Sequence, residues 1–296
     1  MHILILGAGR IGSAIASALA DKNRASVVFW DIDPSRVPDR RPLAELVPEA
    51  SVIFFCLPSW NTRAAAADIA AFLRPATMVI SVAKGIERAT QKTVDEILAE
   101  TLPTGQPFGL LYGAMMAEEI QAGKLGVGMV ASQSAEVRAS LPRLFAGTPL
   151  RLVPTADVHA VAICGVLKNV YASAVGVAAG LDWSVNARGA LLCQIVEEMK
   201  KVCAALKVSD SAPLSVAGLG DLIATVFSPH SHNTAVGKQL IAKVDRAALQ
   251  SEGLFSLPSL TEMLGATAHH LPVLQALQAV VAGAPAGETF AKLLPE

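Results

Sequence analysis

The chain has 296 residues, 52% of them hydrophobic, and a net charge of −1. That length and composition suffice for one large or two medium domains, each with a sizeable core. The balanced charge excludes nucleic acid as a partner, because binding to backbone phosphates calls for a basic face.

In chain order, HILIL (2–6) reads as a short buried strand. GAGRIG follows, and then SAIASALADK, a helical stretch. A strand, a GxGxxG loop and a helix in that order are the setting in which such a loop binds a dinucleotide. Gly7 permits the tight turn, Gly9 lets a pyrophosphate approach the backbone, and Gly12 lets helix and strand pack closely. The helix N-terminus then faces the phosphates with its positive end. The second strand, SVVFWD (26–31), ends in Asp31, where a carboxylate reaches the ribose hydroxyls. An acid there favours NAD over NADP, while Arg36 keeps NADP open. No basic region precedes the first strand, so the N-terminus is not read as a signal peptide.

SVIFFCLPS (51–59), TMVISVAKGIE (77–87), FGLLYG (108–113) and GVGMVAS (126–132) read as further strands. Their near-continuous apolar character suits strands covered on both faces. NTRAAAADIAAFLR and TQKTVDEILAE between them have helical periodicity. The alternation predicts an α/β, Rossmann-like, doubly wound domain over 1–155 with a mostly parallel sheet. Ligands bind beyond the C-terminal ends of such strands, which places Ser59, Lys84 and Gly113 near one crevice. From about residue 156 to 296 the strand pattern fades, and an all-α domain is expected, with helices over 158–181 and 186–208 and shorter ones beyond.

Between Val158 and Leu181 the chain carries one unambiguous charge, Lys168, with Asn169 beside it. The stretch is long enough to cross a bilayer. The central Lys and Asn and three glycines argue against that, so no membrane span is expected. The four cysteines, Cys56, Cys164, Cys193 and Cys203, lack CxxC or Cys/His ligand spacing. They read as buried free thiols in a reducing cytoplasm. His230 and His232 lie two apart with no Cys or carboxylate near them, so no metal is expected. His269 and His270 read as a solvated pair at a helix end.

These motifs together resemble the NAD-dependent glycerol-3-phosphate dehydrogenases along nearly the whole chain. GAGRIGSAIA resembles the family's glycine loop, VIFFCLPS its strand ending in Pro-Ser, and SVAKGIE its Lys-Gly-(Ile/Val)-Glu segment. CGVLKNVYASAVGVAAGL resembles the signature helix that carries the family's catalytic lysine. NARGA sits where the family has Asn-Thr-Lys-Ala-Ala, and GLGDLIATVFSPHSHN resembles its Gly-Leu-Gly-Asp-Leu segment. The resemblance implies a hydride transfer between NAD(H) and C2 of glycerol 3-phosphate or dihydroxyacetone phosphate, a small-molecule substrate, a homodimer and a place in glycerophospholipid metabolism.

It implies a catalytic group of Lys168, Lys84, Asp221 and Thr225, with Lys168 as proton donor and acceptor. Burial lowers an ammonium's pKa and an adjacent carboxylate raises it, a balance that suits a reversible proton carrier. Cofactor contacts are implied for Gly7, Gly9, Arg10, Ile11, Gly12, Asp31, Pro58, Lys84, Ala117 and Glu252. Substrate contacts are implied for Lys84, Gly113, Lys168, Asn169, Asp221, Ser231, His232 and Asn233.

The sequence departs from the family's pattern at several points. Gly-Pro-Ser-Phe-Ala becomes Gly113-Ala114-Met115-Met116-Ala117. The arginine before Asn233 becomes His232, followed after Asn233 by Thr234 and Ala235, and a glutamate before the lysine helix becomes Ala162. The segment after Asp31 is shorter than the family's. A charged bidentate phosphate contact is thereby lost, and His230, His232 and Lys238 offer a weaker anion site. Two other readings stay open: a related dehydrogenase for an unphosphorylated hydroxy acid or polyol, and a non-catalytic dinucleotide sensor.

Overall fold

The computed structural model describes residues 1–20, 26–242 and 248–294. The expected continuation of the first helix through Lys22 and of the last helix to Glu296 lies outside them. The chain divides into two compact units: Met1–Lys84 with Lys92–Ala162, and Gly85–Gln91 with Ile163–Glu296.

The first unit is built on a seven-stranded sheet. Its strands are β1 (His2–Leu6), β2 (Ser26–Trp30), β3 (Val52–Phe55), β4 (Met78–Ser81), β5 (Phe108–Ala114), β6 (Gly126–Ala131) and β7 (Leu150–Thr155), in the order β2-β1-β3-β4-β5-β6-β7. All neighbours run parallel except β5 and β6. β1 pairs with β2 on one side and with β3 on the other. The strand order therefore reverses at β1, and a ligand crevice is expected beyond the C-terminal ends of β1 and β3. β3 and β4 are buried at every residue, which explains their unbroken apolar sequence.

β3 and β4 are shorter than the predicted runs. β3 stops at Phe55, so Ser59 lies in a turn, and β4 stops at Ser81, before Lys84. Strand pairing ends there: Val82 donates to Phe55, and the chain then passes into the second unit at Gly85. The connections are the helices α1 (Arg10–Ala20), α2 (Leu43–Glu49), α3 (Thr62–Ala70), α4 (Val94–Thr101), α5 (Ala117–Gln121) and α6 (Ala135–Leu144). α4 starts later than its periodicity suggests. Thr93 closes a capping box with Glu96 and fixes the first turn there.

The second unit is helical. It holds most of α7 (Val158–Gly180), α8 (Val185–Ala205), a π-turn (Val216–Gly220) running into α9 (Asp221–Phe227), α10 (His232–Gln239), α11 (Glu252–Leu264), α12 (Pro272–Val281) and α13 (Ala286–Ala291). α7 has the length and apolarity of a membrane span, and its most apolar 18-residue window is wholly buried in the fold. Ile163, Leu167, Val170, Val177 and their neighbours form the core with α8, α11 and α12. Tyr171 donates to the Glu198 carboxylate, which also accepts the Val273 and Leu274 N–H groups at the start of α12. That carboxylate thus satisfies two N–H groups that no carbonyl within α12 can reach.

One sequence expectation is corrected. Cys56, Cys164 and Cys203 are buried, but Cys193 is exposed. On α8 the buried positions are Leu191, Ile195, Glu198, Met199, Val202 and Cys203, and Cys193 projects from the opposite side of the helix.

Candidate active site

A cleft of about 450 Å³ opens beyond the ends of β1, β2 and β3 in the first unit. Leu6, Gly7 and Gly9 border it from the first strand and its loop, Trp30 and Asp31 from the second, and Cys56 and Pro58 from the third. Gly7 has φ +103°, and a Cβ there would sit 2.3 Å from the Cys56 carbonyl oxygen. Only glycine allows β1 and β3 to close at this point. A Cβ on Gly9 would meet nothing within 4 Å, so the loop leaves room on its cleft side. The open cradle at the start of α1 fits a dinucleotide pyrophosphate.

Asp31 is held in place by the loop. Its Oδ2 accepts the Ala8 N–H at 2.8 Å, and its Oδ1 accepts the Asp33 N–H at 3.0 Å. The bond to Ala8 ties the end of β2 to the glycine loop. Arg36 borders the same cleft, its Nε 3.4 Å from Asp33 Oδ2. The sequence reading missed the far wall, where Leu43 comes from α2 and Asn61, Ala64, Ala65 and Asp68 come from the α3 region. Small residues on α3 are the only signal that could have found it.

Other residues named from the sequence lie elsewhere in this unit. Arg10 bonds Glu118 at 2.9 Å, joining α1 to α5. Ile11 and Ala117 pack with the core beneath that joint. Lys84 stands 5.1 Å from the centre of the Tyr112 ring, and the Tyr112 hydroxyl donates to the Ala83 carbonyl. A cation over an aromatic face is attracted by the ring's quadrupole. Gly113 follows Tyr112 in β5, opposite Gly128.

The second unit gathers the remaining residues in two groups. In the first, Lys168 Nζ lies 3.4 Å from Asp221 Oδ1 and 3.2 Å from Thr225 Oγ1. Thr225 in turn donates to Asp221 Oδ1 at 3.3 Å. The side chains of Lys168 and Asp221 are 11% and 3% exposed, so this is a buried pair on an otherwise apolar helix. Asp221 opens α9 directly after the π-turn. Such turns are frequent at functional sites, and nothing in the period of the sequence betrays this one. Asp221 and Thr225 are one helical turn apart and present both oxygens to one ammonium.

The second group surrounds Asn169. Its Oδ1 accepts from Asn233 Nδ2 at 2.8 Å, and Asn233 Oδ1 accepts the Gly253 N–H at 3.1 Å. Ser231 caps α10 by accepting from Thr234. His232 is exposed, and its Nε2 lies 2.7 Å from the Gln250 carbonyl oxygen. That nitrogen must carry a proton to donate there. His230 and Lys238 are exposed, and Glu252 opens α11, half-buried. Among the described residues no group of three or more His, Cys, Asp or Glu is arranged to hold a metal ion.

Two family profiles match the chain. The N-terminal part of NAD-dependent glycerol-3-phosphate dehydrogenase matches residues 33–138, and the C-terminal part of the same family matches residues 157–291. The chain belongs to the NAD-dependent glycerol-3-phosphate dehydrogenase family. It is 32% identical to a protein of Ectopseudomonas mendocina named glycerol-3-phosphate dehydrogenase (NAD(P)+), over 94% of this chain and 84% of that one. It is 33% identical to a protein of the same name from Salinibacter ruber, over 84% and 79% of the two chains. Its fold is similar to the crystal structure of glycerol-3-phosphate dehydrogenase from Coxiella burnetii, with a TM-score of 0.87, 24% identity and coverage of 100% and 99%.

Proposed function

We propose that this chain interconverts dihydroxyacetone phosphate and glycerol 3-phosphate with NAD(H), and that Lys168 moves the proton. One observation carries the reading: a buried lysine on an apolar helix, paired at 3.4 Å with Asp221. An ion pair in that setting costs desolvation that a packed apolar pair would not, which points to a chemical use. The names of the relatives supply the substrate.

In this reading Gly7, Gly9, Asp31 and Pro58 hold the dinucleotide in the first unit's cleft. When bound, the nicotinamide supplies or accepts the hydride at C2. Lys168 gives a proton from Nζ to the substrate oxygen as the ketone is reduced, and takes it back in oxidation. Thr225 and Asp221 fix the direction of the ammonium and stabilise its charged form. Lys84, Gly113, Ser231, His232, Arg10, Ile11, Ala117 and Glu252 are assigned to substrate or cofactor by family likeness. Cofactor binding in 1–155 and substrate binding in 156–296, a homodimer, a cytoplasmic setting and a place in glycerophospholipid metabolism rest on the same likeness.

The test is oxidation of NADH with dihydroxyacetone phosphate and, separately, with free dihydroxyacetone. Turnover of the phosphate ester with at least a hundredfold preference in kcat/KM, about 2.7 kcal/mol of discrimination, supports the reading. Turnover of neither, with NADH bound, would sink it.

A further inference from the structure

One buried side chain holds Lys84 at two points. The Tyr112 hydroxyl donates to the carbonyl of Ala83, the residue before Lys84, and the Lys84 ammonium stands 5.1 Å from the centre of the Tyr112 ring. Tyr112 is 0% exposed. It lies in β5, between β4 and β6, and pairs there with Met129. The ring therefore stands on a fixed base.

The first contact follows from where the sheet ends. The ladder between β4 and β5 stops at Ser81 and Leu110, so Ala83 lies two residues beyond it. Ala83 is buried, and a buried backbone group left unpaired is costly. Side chains supply both of its bonds. The Ser81 hydroxyl accepts the Ala83 N–H at 3.2 Å, and the Tyr112 hydroxyl donates to the carbonyl. The direction in which the chain enters Lys84 is thereby set. The second contact acts at the other end of the residue. A lysine carries its charge on a long flexible stem, and ordering that stem on binding costs affinity. The negative face of the ring attracts the ammonium and removes part of that freedom beforehand.

We infer that Tyr112 is a positioning residue: through the Ala83 carbonyl and through its ring it sets the direction of the Lys84 ammonium toward an anionic oxygen of the substrate. The contact of Lys84 with substrate rests on the proposed reaction. The hold of Tyr112 on Lys84 rests on the two contacts alone. In the sequence Tyr112 reads only as one residue of an apolar strand.

The experiment joins a double-mutant cycle to a signal that reports the ring contact. Tyr112→Leu removes ring and hydroxyl, and Tyr112→Phe removes the hydroxyl alone. Each is made in the wild-type and the Lys84→Ala backgrounds. For all of them kcat and KM for dihydroxyacetone phosphate, NADH affinity and the thermal midpoint are measured. In carbon-13-lysine-labelled protein the ε-proton signal of Lys84 is identified by its loss in Lys84→Arg. Tyr112→Leu should lower kcat/KM roughly 3- to 30-fold, the span of a cation–π contact, and Tyr112→Phe should lose less. In the Lys84→Ala background each should change kcat/KM by less than about twofold, because a residue acting through its neighbour adds little once the neighbour is gone. The ring current should move the Lys84 signal upfield of the other lysines in wild type and in Tyr112→Phe. In Tyr112→Leu the signal should join them.

Equal losses in the two backgrounds would overturn the inference and leave Tyr112 a core residue. A Lys84 signal unshifted in wild type, or unmoved by Tyr112→Leu, would overturn it as well. Wild-type activity in Tyr112→Phe would overturn the part played by the Ala83 carbonyl. If Tyr112→Leu does not fold, the wild-type signal and the Tyr112→Phe cycle decide. Wild-type protein inactive with dihydroxyacetone phosphate would count against the proposed reaction instead, and the Lys84 signal, which needs no turnover, would then decide whether Tyr112 holds the ammonium.

Discussion

The Nζ of Lys168 and the Oδ1 of Asp221 stand 3.4 Å apart in the interior of the helical unit, with Thr225 bonded to both. Breaking such a pair from one side leaves a buried charge without its counter-charge, which costs about 3–5 kcal/mol. Asp221→Ala, which strands the ammonium, and Lys168→Met, which strands the carboxylate, should therefore each lower the thermal midpoint. The double variant should lose less than the sum of the two, because it leaves neither charge behind. Thermal unfolding of the three variants in one buffer measures this, and additive losses would mean that the aspartate does not hold the ammonium.

Asp31 does two things in the first unit: it anchors the glycine loop through Ala8 and lines the cleft. Asp31→Ala should weaken NADH binding about tenfold or more, the value of one charge-assisted hydrogen bond. Asp31→Asn retains an acceptor for Ala8 and should bind NADH better than the alanine variant. Fluorescence titration of bound NADH reads both.

His159, in the first turn of α7, faces the Asp95 carboxylate at 3.0 Å, and Thr93 bonds the other oxygen of Asp95. The hydrogen bond to Asp95 raises the His159 pKa above its ordinary 6.5, against some loss from burial, and Glu96 and Asp157 push the same way. A raised folded-state pKa adds stability that is fully present below the unfolded value of 6.5 and disappears as pH rises through the folded one. The half-exposed ring limits the effect to a few tenths of a kcal/mol. The midpoint of wild type should exceed that of His159→Gln at pH 6, and the gap should close by about pH 9. A gap that widens with pH would refute the pairing.

α10 lies against α7 at two glycines. A Cβ on Gly237 would come 2.1 Å from the Ser173 carbonyl oxygen, and one on Gly176 2.3 Å from that of Thr234. Gly237→Ala must push the helices apart, at a cost of about 1–3 kcal/mol. Because Asn233 sits on the same helix, that variant should lose activity beyond its loss of stability. Gly189→Ala is the control: its Cβ would meet nothing within 4 Å, and it should be neutral or slightly stabilising.

Much of this was legible in the sequence because it follows local rules. The glycine loop sits between a strand and a helix, β3 and β4 are unbroken apolar runs, and Lys168 stands out on an apolar stretch. What escaped lacks a local signal. β7 carries Pro154 and is half-exposed as an edge strand, so it shows no apolar run. α2 is short and contains Pro48, which disguises it as a loop. The role of Glu198 depends on α12 arriving from a distant part of the chain, and the order of Asn169, Asn233 and Gly253 depends on three helices meeting. Cys193 shows the opposite failure: an apolar neighbourhood in sequence became an exposed face once the helical period was laid against the core.

The most direct test of the central claim is the rate of hydride transfer in a single turnover for Lys168→Ala, with NADH and dihydroxyacetone phosphate both saturating. The account predicts NADH binding close to wild type and a rate reduced roughly 10²- to 10⁴-fold, the contribution of a positioned general acid. A rate within a few-fold of wild type would contradict it, and would leave Lys168 a buried structural cation rather than the proton donor.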